Sequence, residues 1–471
     1  MLFSSYECLL FFLPIVWAGY FLLGRLTGKV VAHLWLVAAS LVFYGWFNPS
    51  YLWIILSSVF VNYAFIRAIE SLLAGSHARK IVFTLGILFN IGLIGYYKYA
   101  DFLIFNCNVI LKTDFPMLHI LLPLGISFFT FQQISCVVDA YKGVRLMNLS
   151  FVNYFLFVTF FPQLVAGPIV HHQEMMPQFD KPESLTPNWR HMTCGLHLIA
   201  IGLFKKLVIA DQVAIWATRG FEQAGLLTFF QAWFVMLSYM MQLYFDFSGY
   251  CDMALGLGKM FNINLPINFN SPYRATDIRD FWMRWHMTLG RFMSHYVYYP
   301  LGGSRHGAFR TCVNLLLTFL VSGLWHGASW TFVTFGAMHG VAMVLHRIWK
   351  GYGFCMHRRL GRAMTFLFFI LSLVLVRSNS MDTAFKIWHD LFNFSNMNYH
   401  EIREIVRPGF STHSAIILVV GLVVVCLTCK NAAMKSVTFR PTVAQLAGTV
   451  LLLVWSILTM ARISPFIYFN F

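Results

Sequence analysis

Three histidines stand where an ionisable side chain is expensive. His326 lies in Ser322-Gly-Leu-Trp-His-Gly-Ala-Ser-Trp330, between two strongly apolar runs, and His339 follows in Gly336-Ala-Met-His-Gly340. His286 closes Phe281-Trp-Met-Arg-Trp-His286. A charged group at the centre of a spanning helix costs at least ~2.5–3.5 kcal/mol, so such residues are examined first. Imidazole exchanges a proton near neutral pH, which suits general acid–base work. Gly323 and Gly327 open the backbone around His326 and would let a substrate approach closely. The alternative for each histidine alone is a hydrogen bond between helices. Together they point toward a site, but spacing does not show that they converge.

Competing chemistries find less support. No H-E-x-x-H occurs, and the three histidines lack Asp or Glu at ligand spacing, so no metal is expected. There is no G-x-S-x-G nucleophile elbow, and no histidine has Asp five residues later. Asp246 and Asp252, in Tyr244-Phe-Asp-Phe-Ser-Gly-Tyr-Cys-Asp252, are carboxylates at a membrane edge. Asp246 is read either as a proton-relay acid or, preferably, as a salt-bridge partner for Arg279, Arg284 or Arg291. Lys205-Lys206 could bind an anionic phosphate, although such a pair more often marks a helix end reaching the interface.

The elements that must hold these residues are membrane helices. Of 471 residues 58% are hydrophobic, 18% aromatic and 11% charged. A soluble domain carries about a quarter charged residues, so this surface belongs in lipid. The net charge of +16 is concentrated in short breaks between apolar runs: Arg25/Lys29, His77/Arg79/Lys80, Lys142/Arg145 and Arg358/Arg359/Arg362. That placement follows the positive-inside rule, puts the N-terminus outside, and excludes nucleic acid as a partner. The nine cysteines form no disulfide framework, and Cys426-x-x-Cys429 lies at an apolar run. Leu9–Leu23 lacks a basic leading region and is read as an uncleaved first span.

Apolar segments continue at about Leu34–Phe47, Tyr51–Ile69, Ile81–Tyr97, Leu118–Val138, Phe151–Val170, Gly195–Ala214, Leu227–Phe247, Val313–Trp325, Ala328–His346, Ala363–Val376, Ala415–Thr428 and Ala444–Met460. A span takes ~20 residues, so some are re-entrant, and roughly eleven to thirteen helices are expected. Phe161-Pro-Gln-Leu-Val-Ala-Gly-Pro168 should break its helix. From Asp252 to Arg310 the chain is too polar to span. There Thr276 or Asp277 caps a predicted amphipathic helix running to about Tyr296, with His286 at the flank of its apolar face. No internal repeat appears, and residues 1–471 read as a single membrane domain with a motif-rich core at about 118–347.

Taken together, these segments closely resemble the membrane-bound O-acyltransferase (MBOAT) family, in its bacterial alginate O-acetyltransferase branch. The pieces are Leu122-Pro-Leu-Gly-Ile-Ser127, Phe161 to Pro168, Gln242-Leu-Tyr-Phe-Asp-Phe-Ser-Gly-Tyr250, Asp252-Met-Ala-Leu-Gly-Leu-Gly258, Asp280-Phe-Trp-Met-Arg-Trp-His286, Pro300-Leu-Gly-Gly-Ser304 and Gly323-Leu-Trp-His-Gly327. They occur in the family's order. Where the branch often reads Leu-Arg-Asp-Tyr, this chain has Met293-Ser-His-Tyr296. The resemblance implies an all-α ring of helices around a central tunnel. It makes His326 the catalytic base and His286 the second site residue. His339, Asp246, Trp325, Trp285 and Arg284 become further catalytic or tunnel-lining candidates. It implies no tightly bound cofactor and a cytoplasmic acyl thioester, acetyl-CoA, as donor. The expected location is the bacterial inner membrane, among membrane lipid. The expected partners are an extracytoplasmic acetyl-accepting or acetyltransferase protein and a polysaccharide synthesis or export complex. Acyl transfer to alginate, acetylated cellulose or peptidoglycan is weighed against three rivals: a secondary transporter, a non-catalytic export scaffold, and D-alanyl or longer-chain transfer.

Overall fold

The structure is a computed structural model describing residues 1–144, 149–406, 410–460 and 466–467; Arg145, in the predicted basic loop, lies outside the described residues. No strand occurs among the described residues, and the chain is an all-α polytopic membrane protein. Among the described residues, five helices are long and apolar enough to cross a membrane: Glu7–Thr27, Ser50–Ser71, His77–Leu111, Gly307–His326 and Arg358–Arg377. Lys29–Gly45, Thr412–Thr428 and Val443–Thr459 are apolar but shorter. The residues pack as two compact units, the first comprising Met1–Ile201, Tyr250–Pro266 and the segment from Arg440, the second Gly202–Gly249 and Ile267–Phe439.

In the first unit, α1 (Leu13–Leu26) packs on α2 (Lys29–Gly45), followed by α3 (Ser50–Ser71), α4 (His77–Ile94), α5 (Ile126–Tyr141) and α6 (Phe151–Thr159). Gly19 lets α1 approach α2: a Cβ there would stand 2.6 Å from the Trp35 indole. Lipid gives apolar helices no hydrophobic drive to associate, so buried polar side chains tie them. Asn62 on α3 donates to Asn90 on α4 at 3.2 Å, Gln133 on α5 donates to Ser58 at 2.9 Å, and Tyr154 on α6 donates to Gln133 at 3.2 Å.

The proline-rich break falls where the sequence puts it. The apolar run from Phe151 does not continue as one span to Val170, because α6 stops at Thr159 and a single turn, Phe161–Leu164, follows. The freed backbone groups are satisfied internally, as depth in lipid demands. Phe161 N–H donates to Ser40 Oγ at 3.1 Å, and the Phe157 carbonyl accepts from Gln163 Nε2 at 2.8 Å. Leu118–Val138 is likewise not one helix, since α5 begins only at Ile126, after left-handed Gly125.

The second unit contains most of α7 (Phe229–Met260), α8 (Ile278–Trp282), α9 (Met287–Met293), α10 (Gly307–His326), α11 (Trp330–Gly351), α12 (Arg358–Arg377) and α13 (Met381–Phe392). Helix α7 runs 32 residues and takes in buried Asp252, which the sequence had placed at the start of a polar loop. Helices α10 and α11 pair closely through glycines. A side chain at Gly323 would strike the Phe332 carbonyl, one at Gly336 the Phe319 carbonyl, and one at Gly340 the Leu316 side chain. This close approach of small residues is how helices adhere in lipid. It also corrects the expected role of Gly323 and Gly327. Both are filled by their own neighbours, Gly327 by the Phe332 ring, and neither opens the backbone toward a substrate.

Candidate active site

The predicted amphipathic helix from Asp277 to Tyr296 is interrupted at the residue that matters. Asp277 does cap its start, accepting from Asp280 N at 2.8 Å. Helix α8 then ends at Trp282, and α9 restarts at Met287. His286 between them adopts φ +45° and ψ +51°, a left-handed conformation uncommon for a residue with a side chain. Unfavourable backbone of this kind persists only when the surroundings over-determine it, and it gathers at functional sites. The surroundings here are the segment from Asn268 to Asn270: Met287 N–H donates to the Asn268 carbonyl at 3.0 Å, and Asn270 N–H to the Arg284 carbonyl at 2.9 Å. His286 therefore does not ride the flank of a continuous helix, and its ring is fully buried.

His326 is the last residue of α10, with its neighbour Gly327 already extended. The His286 and His326 ring centroids are 6.4 Å apart and nearly perpendicular. Trp325 lies against both, 5.8 Å from His286 and 4.9 Å from His326. Phe247 of α7 meets His286 edge-on at 4.8 Å, and Phe335 of α11 stands 6.1 Å from His326. Two imidazoles thus converge within an aromatic enclosure, as spacing could not show.

Hydrogen-bond accounting assigns each ring its proton. His326 Nδ1 is 2.7 Å from the Ser322 carbonyl, which only accepts, so Nδ1 carries a hydrogen and the neutral ring has its lone pair on Nε2. His286 Nδ1 is 3.2 Å from Asn268 Oδ1, an atom that also receives Thr288 N–H at 3.2 Å and Thr288 Oγ1 at 3.0 Å. A backbone N–H must donate, so this atom is the amide oxygen and His286 Nδ1 is likewise the protonated nitrogen. Burial first, and the neighbouring His326 imidazole second, push His286 well below the ordinary histidine value, which keeps it neutral at physiological pH. His286 is 0% exposed and His326 9%, so His326 keeps the accessible edge.

The other candidates do different work. His339 is buried with both nitrogens engaged: Trp282 Nε1 donates to its Nδ1 at 3.2 Å, and its Nε2 lies 3.0 Å from Ser372 Oγ. Ser372 itself donates to the Phe369 carbonyl at 2.8 Å, so His339 Nε2–H donates and the ring is a tie between α8, α11 and α12. Asp246 is an ion-pair partner, of Lys206 at 2.6 Å, a cation the sequence did not offer for it. Lys206 also meets Asp211 at 2.9 Å and is buried, so it neither reaches the interface nor waits for a phosphate. Lys205 is buried too, donating to Ser248 Oγ at 3.3 Å. Arg284 pairs one helical turn back with Asp280 at 2.7 Å and donates to the Asn270 carbonyl at 3.3 Å. Trp285 is buried packing, stacked on Phe281 at 5.7 Å and 5.1 Å from both Phe269 and Phe369. Among the described residues no group of three or more His, Cys, Asp or Glu is placed to hold a metal ion. Sequence reasoning missed Asn268 and Thr288. Their only signal was proximity to Pro272 and to the His286 motif.

A helical membrane protein with two converging imidazoles has the parts for moving a proton from a hydroxyl, and the comparisons give this class its name. The profile of the MBOAT, membrane-bound O-acyltransferase family, matches residues 145–352, a range that includes all three histidines. A peptidoglycan O-acetyltransferase of Helicobacter pylori is 44% identical over 416 residues, 82% of this chain and 79% of that protein. A probable alginate O-acetylase of Pseudomonas aeruginosa is 33% identical over 422 residues, 88% of this chain and 80% of that one. A teichoic acid D-alanyltransferase of Bacillus subtilis is 27% identical over 234 residues, 48% of this chain and 59% of that one. The chain belongs to the membrane-bound O-acyltransferase family and is an acyltransferase.

Proposed function

We propose that this acyltransferase takes an acetyl group from a cytoplasmic thioester, acetyl-CoA, and delivers it across the membrane for O-acetylation of a cell-wall or exported polysaccharide. The observation that carries the reading is the pair of Nδ1-protonated imidazoles whose ring centroids stand 6.4 Å apart. An acceptor hydroxyl gives its proton to His326 Nε2 while its oxygen attacks the thioester carbonyl. The tetrahedral intermediate collapses with cleavage of the C–S bond, and the proton passes from His326 to the departing thiolate. His286 orients the attacking oxygen. Such general-base assistance contributes ~10²–10⁴-fold. An enclosure of Trp325, Phe247 and Phe335 holds water away from a thioester.

The relatives named for peptidoglycan and alginate support a polysaccharide acceptor, and the 44% identity favours peptidoglycan. Delivery outside the cell calls for an extracytoplasmic acetyl-accepting partner, working with the machinery that makes or exports the polymer. D-alanyl transfer is the second reading, supported by a relative that covers 48% of the chain. The distribution of basic loops supports an inner-membrane protein with its N-terminus outside. The test is the base-labile acyl content of cell-wall and exported polysaccharide in cells expressing wild type or His326→Ala at matched membrane levels. Acetate lost from intact polymer supports the proposal, D-alanine lost instead selects the second reading, and acyl content unchanged in the variant removes both.

A further inference from the structure

Helix α9 begins with a defect and an unusual remedy. Its N-cap residue, His286, makes no capping bond of its own. The cap is supplied by Asn268, eighteen residues earlier in the chain, whose Oδ1 accepts from Thr288 N at 3.2 Å. The same oxygen accepts from Thr288 Oγ1 at 3.0 Å and faces His286 Nδ1 at 3.2 Å. The Asn268 carbonyl holds the next link, Met287 N–H, at 3.0 Å. Asn268 and Thr288 are both buried. One carboxamide thus serves two ends: it starts α9, and it faces Nδ1 of His286.

We infer that Asn268, locked by Thr288, is a positioning residue that sets the working tautomer of His286. Thr288 N–H can only donate, so Asn268 presents oxygen and not NH₂ to this cluster, and the amide cannot flip without losing that bond. An oxygen so held accepts from His286 Nδ1–H and repels the opposite tautomer, in which a lone pair would face it. His286 must then direct the Nε2 lone pair toward the reacting groups. An outer partner that fixes an imidazole in this way is worth ~10–100-fold where histidines bind metals, and an effect of that order is expected here. The left-handed backbone at His286 belongs to the same device, since a continuous helix through residues 278–293 would not aim Nδ1 at Asn268. The inference rests on the acyl-transfer reading for its catalytic consequence, but not for the tautomer itself.

The experiment pairs a spectroscopic and a functional readout on the full-length chain. Nitrogen-15 histidine NMR of the solubilised protein, with the His286 signal assigned by its loss in His286→Gln, reports which nitrogen carries the proton. Wild type should show His286 as the Nδ1–H tautomer. Asn268→Leu, which removes the acceptor, should bring in the Nε2–H tautomer and lower polymer acetylation ~10–100-fold at matched protein levels. Asn268→Asp, which keeps an acceptor, should preserve the Nδ1–H tautomer, recover most of the acetylation and make His286 easier to protonate. Thr288→Val, a milder change that keeps the backbone donor, should lose only a few-fold and guards against a leucine variant that does not fold. An unchanged His286 tautomer in Asn268→Leu would overturn the inference, as would acetylation falling only in proportion to protein amount in all three variants. Should His326→Ala retain acetylation, the acyl-transfer reading fails, and the tautomer result still decides the role of Asn268.

Discussion

His326 and His339 sit on paired helices, both buried, both beside glycines that let those helices touch, and they differ in where their ring nitrogens are engaged. His339 lies between an indole donor on one side and a serine hydroxyl on the other, and its hydrogen-bonding capacity is used in holding three helices together. His326 gives Nδ1–H to a carbonyl one turn back in its own helix, and its ring stands 6.4 Å from His286 and 4.9 Å from Trp325. Each stands in an apolar helix beside a glycine, and motif alone does not tell them apart. What separates a structural histidine from a chemical one is the accounting of donors and acceptors around each nitrogen. The Lys206–Asp246 pair of the same unit lies on the structural side, with both charges withdrawn from solvent and satisfied by each other.

That contrast can be broken most forcefully at His326. Replacing it with alanine should lower acyl transfer ~10²–10⁴-fold with little change in protein amount. Next comes the ion pair. Asp246→Asn removes one of the carboxylates that hold the buried Lys206 ammonium, leaving Asp211 at 2.9 Å, and should cost ~3 kcal/mol of stability, read as reduced membrane abundance and a lower melting temperature. Replacing both partners, Lys206→Met with Asp246→Leu, should restore much of that stability, whereas a proton-relay role for Asp246 would leave the double variant inactive. His339→Leu should cost ~1–3 kcal/mol by leaving Trp282 and Ser372 unsatisfied, without altering transfer per folded molecule. The smallest effect concerns pH. His286 binds its proton less readily folded than unfolded, so stability falls as pH drops below its unfolded value of about 6.5, by at most ~1.4 kcal/mol per unit. His286→Gln should flatten that acid limb in melts across pH 5 to 7.5.

Much of this was legible in the residues. The apolar runs gave the helical class, the two prolines located the break after α6, and Asp277 was a correct cap. His326, His286 and Trp325 stood in motifs whose order pointed to the right family. The interruption at His286 was not legible, because Ile278, Phe281, Trp285, Leu289 and Phe292 keep helical spacing across it, and a left-handed histidine leaves no mark in composition. Asn268 escaped notice because its role depends on a fold that returns the chain to His286. Lys206 finding Asp246 is the same kind of fact, a pairing between separate elements that spacing along the chain does not encode. The glycines at 323 and 327 were noticed for the wrong reason, since a missing side chain reads the same whether ligand or neighbouring helix fills the space.

The most direct test of the account sets the two histidines against each other. Polymer-linked acetyl per molecule of membrane protein should be measured for wild type, His326→Ala and His339→Leu in the same cells. Acetyl should be nearly abolished in the first variant and retained per molecule in the second. Equal loss in both, or loss confined to His339→Leu, would contradict it.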